Sequence, residues 1–138
     1  MAHKAKILLV DGDTDFIDRN RAFLEQSEYE VVTACSGQEC LEKAKLERPD
    51  AIVLEVMMEE HDSGFTCARH IKSDPNLKDT PILMLSSVAE KMGFRFSLEQ
   101  DGYWMKTDDF ADKPLSSNEL TERIEKLLAR AGSRGGKG

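Results

Sequence analysis

The chain has 138 residues, of which 40% are hydrophobic and 33% are charged, and its formal net charge at pH 7 is -7. We expect a chain of this length to form one domain with a sizeable core, and its acidic balance argues against general binding to nucleic acid or to an anionic membrane surface. No stretch is long and apolar enough to span a membrane, and the N-terminal residues contain no apolar core of the signal-peptide type.

The first part of the chain alternates buried-strand patterns with helical patterns. Ile7–Val10 is a short apolar run that predicts a strand, and Asp13 or Thr14 can cap the helix that follows it. Tyr29–Ala34 predicts a second strand, and the capping box S-x-x-E that begins at Ser36 predicts the start of a second helix.

The middle of the chain continues the same alternation. Ala51–Met57 predicts a third strand, and this strand carries one carboxylate, Glu55, near its end. A helical pattern follows and stops at Asp74-Pro75, because proline disfavours helix at the residue before it. Pro81–Ser87 then predicts a fourth strand.

The last part of the chain is less regular. Ala89–Gln100 predicts a helix with a blurred period, and we expect low local stability and a partner-binding surface from residue 89 to residue 107. A short strand is predicted near Phe110, and a second capping box at Ser116 begins the clearest amphipathic helix. The Gly-rich residues 132–138 predict a disordered tail after a single domain over residues 1–131.

The alternation predicts an α/β protein with a parallel sheet and helices on both faces. In such sheets the functional residues lie outside the carboxyl ends of the strands. The polar residues that end or follow the predicted strands should therefore meet at one edge: Asp11, Asp13, Glu55, Ser86 and Lys113. The three cysteines contain no CxxC pair, so we interpret them as mostly buried thiols of a cytoplasmic protein.

Four motifs in this order resemble the receiver domain of two-component response regulators over about Lys6–Ala131. They are the acidic motif "ILLVDGDTD", the acceptor segment "RPDAIVLEVMM", the switch strand "PILMLSS" and the lysine motif "DDFADKPL". The resemblance implies a five-stranded, doubly wound, flavodoxin-like fold. It also implies a signalling module rather than an enzyme, whose partner is a histidine kinase or a downstream signalling protein. We expect a monomer or a weak homodimer, with no nucleic-acid or membrane partner.

The resemblance also assigns roles to single residues. Glu55 takes the position of the phosphoacceptor, Ser86 that of the switch hydroxyl, Lys113 that of the conserved lysine and Phe110 that of the switch aromatic. The family's magnesium-ligand positions fall on Asp11, Gly12, Glu55 and the backbone carbonyl of Met57, and Asp13 is a further candidate ligand because Gly12 has no carboxylate.

Two central positions depart from the family pattern. Glu55 replaces the acceptor aspartate, and its extra methylene shifts the position at which a phosphoryl group would sit. Gly12 replaces the second acid of the acidic pair. Since Mg²⁺ requires near-ideal octahedral geometry, the missing carboxylate should leave at most a weak site and no required cofactor. We therefore predict a stand-alone receiver that signals by protein contact without phosphorylation, with Glu55 as a mimic of the phosphorylated state or a structural partner of Lys113. The alternative is a single-domain response regulator that accepts a phosphoryl group from a histidine kinase with Mg²⁺.

Overall fold

A computed structural model describes residues 4–56, 63–86, 109–113 and 115–135 of the chain. The elements, in chain order, are β1 (Lys6–Val10), α1 (Thr14–Gln26), β2 (Glu30–Ala34), α2 (Gly37–Glu47), β3 (Ala51–Glu55), α3 (Ser63–Ser73), β4 (Ile82–Ser86), β5 (Asp109–Asp112) and α4 (Ser117–Gly135). All five predicted strands are confirmed, and the predicted helices that lie within these ranges are present.

The strands form one parallel sheet in the order β2-β1-β3-β4-β5. Parallel pairing brings the carboxyl ends of all five strands to the same edge, as the register of β1 against β3 illustrates, where Val10 pairs with Leu54. At the other side of the sheet Ser86 pairs with Asp112, so the residue that follows β5 lies at the same level as the end of β4. The predicted doubly wound architecture is therefore confirmed.

Two separate cores explain why the strands are apolar almost without interruption. Alternate strand residues point to opposite faces of a sheet, and both faces are covered here. One face packs against α1 and α4, through residues such as Ile17 and Ile124. The other face packs against α2 and α3, through residues such as Ala44 and Ile71.

Side-chain caps define the starts of three helices. The Asp13 carboxylate accepts from the first-turn amides of α1, which selects Asp13 over Thr14 as the N-cap. The Ser36 hydroxyl accepts from the Glu39 amide of α2 at 3.1 Å. At α4 the capping box is reciprocal, since Ser116 Oγ accepts from the Glu119 amide at 3.0 Å and Glu119 Oε1 accepts from the Ser116 amide at 2.9 Å.

One predicted segment boundary needs correction, and some predicted segments lie outside the described residues. The disordered tail predicted from residue 132 is wrong for residues 132–135, because α4 continues to Gly135. Once a helix is nucleated, each further residue adds one backbone hydrogen bond, so a single glycine does not have to end it. Residues 136–138, the helix predicted over Ala89–Gln100 and the whole segment 89–107 lie outside the described residues. None of the helices in the described part of the chain combines the length and the apolarity that crossing a membrane requires.

The cysteines differ in exposure, which gives a chemical prediction. Cys40 and Cys67 are buried, in agreement with the expectation of mostly buried thiols, and Cys35 is exposed. The hydrogen bond with Cys67 and burial together raise the pKa of the Cys40 thiol far above its usual range. Since the thiolate is the reactive form, we expect a thiol reagent to modify one cysteine rapidly in the native protein and all three after unfolding.

A disulfide-forming chromogenic reagent, followed by absorbance, measures this directly. Cys35→Ser should abolish the rapid phase, and Cys40→Ser should leave it intact. Two or more rapidly reacting thiols in the native wild type would contradict the assignment of Cys40 and Cys67 as inert core residues.

Candidate functional site

Three charged side chains meet at the carboxyl edge of the sheet, and we call them the carboxylate–lysine cluster: Asp11, Glu55 and Lys113. Lys113 Nζ donates to Asp11 Oδ2 at 2.8 Å and to Glu55 Oε1 at 3.0 Å. All three are buried, with 9% of the Lys113 surface and 2% of each carboxylate residue's surface exposed. The predicted contact of Glu55 with Lys113 is therefore present, and Asp11 joins it as a second partner.

The backbone at the ends of the strands holds the cluster in place. The Asp11 amide donates to the Ala34 carbonyl at 3.1 Å, which extends the pairing of β1 with β2 by one residue. The Lys113 amide donates to the Ser86 carbonyl at 2.8 Å and extends the pairing of β4 with β5 in the same way. Because the charged residues continue regular ladders, their positions are set by the sheet rather than by free loops.

Gly64, in the first turn of α3, packs directly on the backbone at the end of β3, a contact that the sequence analysis does not predict. Its amide donates to the Val56 carbonyl at 2.8 Å. A Cβ atom at this position would overlap the carbonyl oxygen of Glu55 and the Cα of Val56. Only glycine therefore lets α3 rest directly on the backbone that carries Glu55. The available signal was a glycine shortly after the acceptor strand.

The other predicted site residues take different places. Ser86 is buried at the end of β4, and Phe110 lies partly buried on β5 against the core formed with α2 and α3. The Asp13 side chain is exposed, and its Oδ1 accepts from the amides of Asp15 at 3.0 Å and Phe16 at 3.3 Å. Met57 lies outside the described residues.

The electrostatics of the cluster favour a charged lysine. Burial by itself lowers the pKa of Lys113 and is the largest single influence on it. The hydrogen bond to Asp11, the negative charges of Glu55 and Asp11 and the hydrogen bond to Glu55 together outweigh burial and raise the pKa above its ordinary value. At neutral pH one ammonium is thus shared between two carboxylate side chains.

The described residues do not fit a magnesium site as they stand. Both carboxylate oxygens of Asp11 already accept hydrogen bonds, one from Lys113 at 2.8 Å and one from the Asp13 amide at 2.9 Å. Gly12 contributes no carboxylate, and one Asp13 oxygen is used to cap α1. Over residues 4–56, 63–86, 109–113 and 115–135, no group of three or more Asp, Glu, His or Cys side chains is arranged to hold a metal ion.

Mg²⁺ binding should therefore be weak and should respond to residue 12. The position that a Cβ of residue 12 would take has no other atom within 4 Å, so a longer side chain fits there. We expect Gly12→Asp to tighten Mg²⁺ binding by about tenfold or more, because the number of charged ligands sets affinity at such sites. Amide chemical shifts during a Mg²⁺ titration measure this, with Gly12→Asn as the uncharged control of similar size. Saturation of the wild type at low-millimolar Mg²⁺, with shifts centred on Asp11 and Glu55, would count against a weak site.

Comparison with known proteins finds similarity to one family over most of the chain. Residues 7–125 match the family model described as the response regulator receiver domain. The alkaline phosphatase synthesis transcriptional regulatory protein PhoP of Bacillus subtilis is 35% identical over 126 residues, which are 91% of this chain and 49% of PhoP. The chain thus spans about half the length of this relative.

Two further similarities concern a kinase and a solved structure. Hybrid signal transduction histidine kinase D of Dictyostelium discoideum is 36% identical over 126 residues, which cover 91% of this chain and 8% of that protein. The structure of the chemotaxis response regulator CheY4 of Vibrio cholerae superposes with a TM-score of 0.77 at 30% identity, covering 89% of this chain and 98% of CheY4. The likeness therefore extends from sequence to fold.

Proposed function

The chain belongs to the response regulator receiver domain family, and we propose that it is an atypical receiver whose signalling state does not depend on phosphorylation. Receiver domains act in two-component signal transduction, where they interact with histidine kinases. The resemblance implies that the family's acceptor is an aspartate and that its lysine binds the phosphoryl oxygens. In this chain the acceptor position is Glu55, so the same lysine meets a longer carboxylate.

One contact carries the proposal: Glu55 Oε1 lies 3.0 Å from Lys113 Nζ in a buried setting. The ammonium that would receive phosphoryl oxygens already has carboxylate oxygens from Glu55 and Asp11 as partners. Two of the three N–H donors of this ammonium are thus engaged by carboxylates before a phosphoryl group arrives. In a reaction that depends on the positions of the reacting atoms, this arrangement disfavours attack by the Glu55 carboxylate.

The same contact gives Glu55 a signalling role of its own. A phosphorylated side chain brings about -1.5 to -2 charges and three acceptor oxygens, whereas a glutamate brings one charge and two oxygens. Glu55 is therefore a partial mimic of the phosphorylated state that is present from synthesis onward. The signal then reaches a histidine kinase or a downstream signalling protein by direct contact, and its strength follows the amount of protein rather than its modification.

The second candidate is a phosphoaccepting response regulator that depends on Mg²⁺. The observation that favours it is the open space around Gly12, next to the buried Asp11. Asp11 and Lys113 also keep the positions that the family's acid and lysine occupy. The two candidates differ in whether a covalent phosphoryl group forms on the protein.

Intact mass spectrometry distinguishes them. The wild type is incubated with acetyl phosphate and Mg²⁺ and measured at once, because acyl phosphates hydrolyse. We expect no gain of a phosphoryl group. A gain of one phosphoryl group that disappears in Glu55→Gln, which keeps the size of the side chain and removes its charge, would overturn the proposal and establish Glu55 as an acceptor.

A further inference from the structure

An aromatic ring lies beside the central ammonium of the site. Lys113 Nζ is 4.2 Å from the centroid of the Phe16 ring, and only 4% of the Phe16 surface is exposed. We propose that Phe16 is a positioning residue, whose ring face holds the Lys113 ammonium against Asp11 and Glu55. The sequence pattern of α1 accounts for an apolar residue at this position but does not require an aromatic one.

The geometry indicates that the ring attracts the ammonium electrostatically in addition to filling volume in the core. Lysine is a flexible side chain with four carbons between backbone and charge, so two carboxylate contacts alone leave it freedom to move. The face of an aromatic ring is negative and attracts a cation, most strongly where water is excluded. At 4.2 Å from the centroid the ammonium lies well within the range of this attraction. A leucine would fill much of the same volume without attracting the charge.

The turn that carries the ring also holds one of the carboxylates. The Phe16 amide donates to Asp13 Oδ1 at 3.3 Å, and the Asp13 amide donates to Asp11 Oδ1 at 2.9 Å. On the other side, the Phe16 carbonyl accepts from Asn20 Nδ2 at 2.8 Å, and Asn20 Oδ1 accepts from the Ser117 hydroxyl at 2.9 Å. The Phe16 backbone is thus linked by hydrogen bonds to the site through Asp13 and to the start of α4 through Asn20.

This inference rests on the proposed function in that it treats Lys113 as the centre of the site. Its test needs no phosphoryl donor and no metal. Phosphorylation of the wild type would overturn the proposed function without affecting the positioning of Lys113. A failed NMR test would overturn the positioning role of Phe16 without affecting the proposed function.

The test is NMR of the Lys113 side chain in the full chain, labelled with ¹⁵N and ¹³C lysine, with Lys113→Arg to assign the signals. At fixed near-neutral pH, we expect Phe16→Leu to speed exchange of the ammonium protons with water by about tenfold. This factor corresponds to ~1.4 kcal/mol, within the range of a desolvated cation–aromatic contact. Phe16→Tyr, which keeps the ring, should stay within about twofold of the wild type on the same basis.

Two controls separate positioning from general loosening. Arg19→Gln removes an exposed cation 5.8 Å from the same ring and should leave Lys113 unchanged. Ile17→Val loosens the same core without removing an aromatic ring, and it should leave the exchange rate near that of the wild type. Equal exchange in Phe16→Leu and wild type, or equal acceleration in Ile17→Val, would overturn the proposal.

A second measurement stands even if Phe16→Leu does not fold. In the wild type, the ring should shift the Lys113 Hε signals upfield of those of the other lysines. Hε signals at ordinary positions in the wild type would also overturn the proposal, because they would place the ring elsewhere.

Discussion

Lys113→Met is expected to destabilise the protein by about 3–5 kcal/mol, because it removes the cation from two buried carboxylates. Methionine matches much of the volume of the lysine side chain, so the loss reflects charge rather than a cavity. Urea unfolding at neutral pH, followed by circular dichroism, measures the change in the free energy of unfolding.

A triple variant is the matched control for this prediction. Lys113→Met combined with Asp11→Asn and Glu55→Gln removes all three charges and should recover most of the lost stability, since buried ion clusters are often replaced at little net cost. A loss below about 1 kcal/mol in Lys113→Met alone would mean that the carboxylates are well solvated, contrary to their burial.

The shared lysine changes what is expected of Glu55→Gln. On sequence grounds Glu55 was the main partner of Lys113, but Asp11 Oδ2 is at least as close, at 2.8 Å. Glu55→Gln therefore leaves Lys113 with an ionic partner, and its effect on stability should be smaller than that of Lys113→Met. Glu55→Gln consequently tests the signalling role of the carboxylate without removing the cluster.

The double variant Gly12→Asp with Glu55→Asp should gain phosphorylation by acetyl phosphate in the presence of Mg²⁺, at a rate about a hundredfold or more above the detection limit that the wild type does not exceed. Glu55→Asp draws the carboxylate back from Lys113 by one methylene and makes room for a phosphoryl group beside the ammonium. Gly12→Asp adds the acid that the family pattern places there, in a position where the structure leaves space. The rate of mass gain in intact mass spectrometry measures the effect.

Single variants show whether both changes are needed. Glu55→Asp alone restores the acceptor without the metal ligand, and Gly12→Asn with Glu55→Asp adds size without charge, so both should remain well below the double variant. If the wild type is phosphorylated as readily as the double variant, the proposal of a phosphorylation-independent receiver is wrong.

Much of the fold was predictable because its signals are local. The strand Ile7–Val10 and the caps at Ser36 and Ser116 follow from residues within a few positions of one another, and the structure has them where the patterns placed them. The end of α4 was not predictable in this way, because glycine and charge at residues 132–135 indicate disorder while the helix continues through them.

The sequence by itself determined the alternation of strands and helices, the edge of the sheet where function lies and the residue types available there. Only the tertiary structure decided which of these residues touch. Asp11 and Lys113 are 102 positions apart and meet because β1 and β5 run parallel in one sheet. The same packing placed the Phe16 ring beside Lys113 and Gly64 on the backbone of Glu55. Such contacts depend on strand register and helix packing, which no short stretch of sequence records.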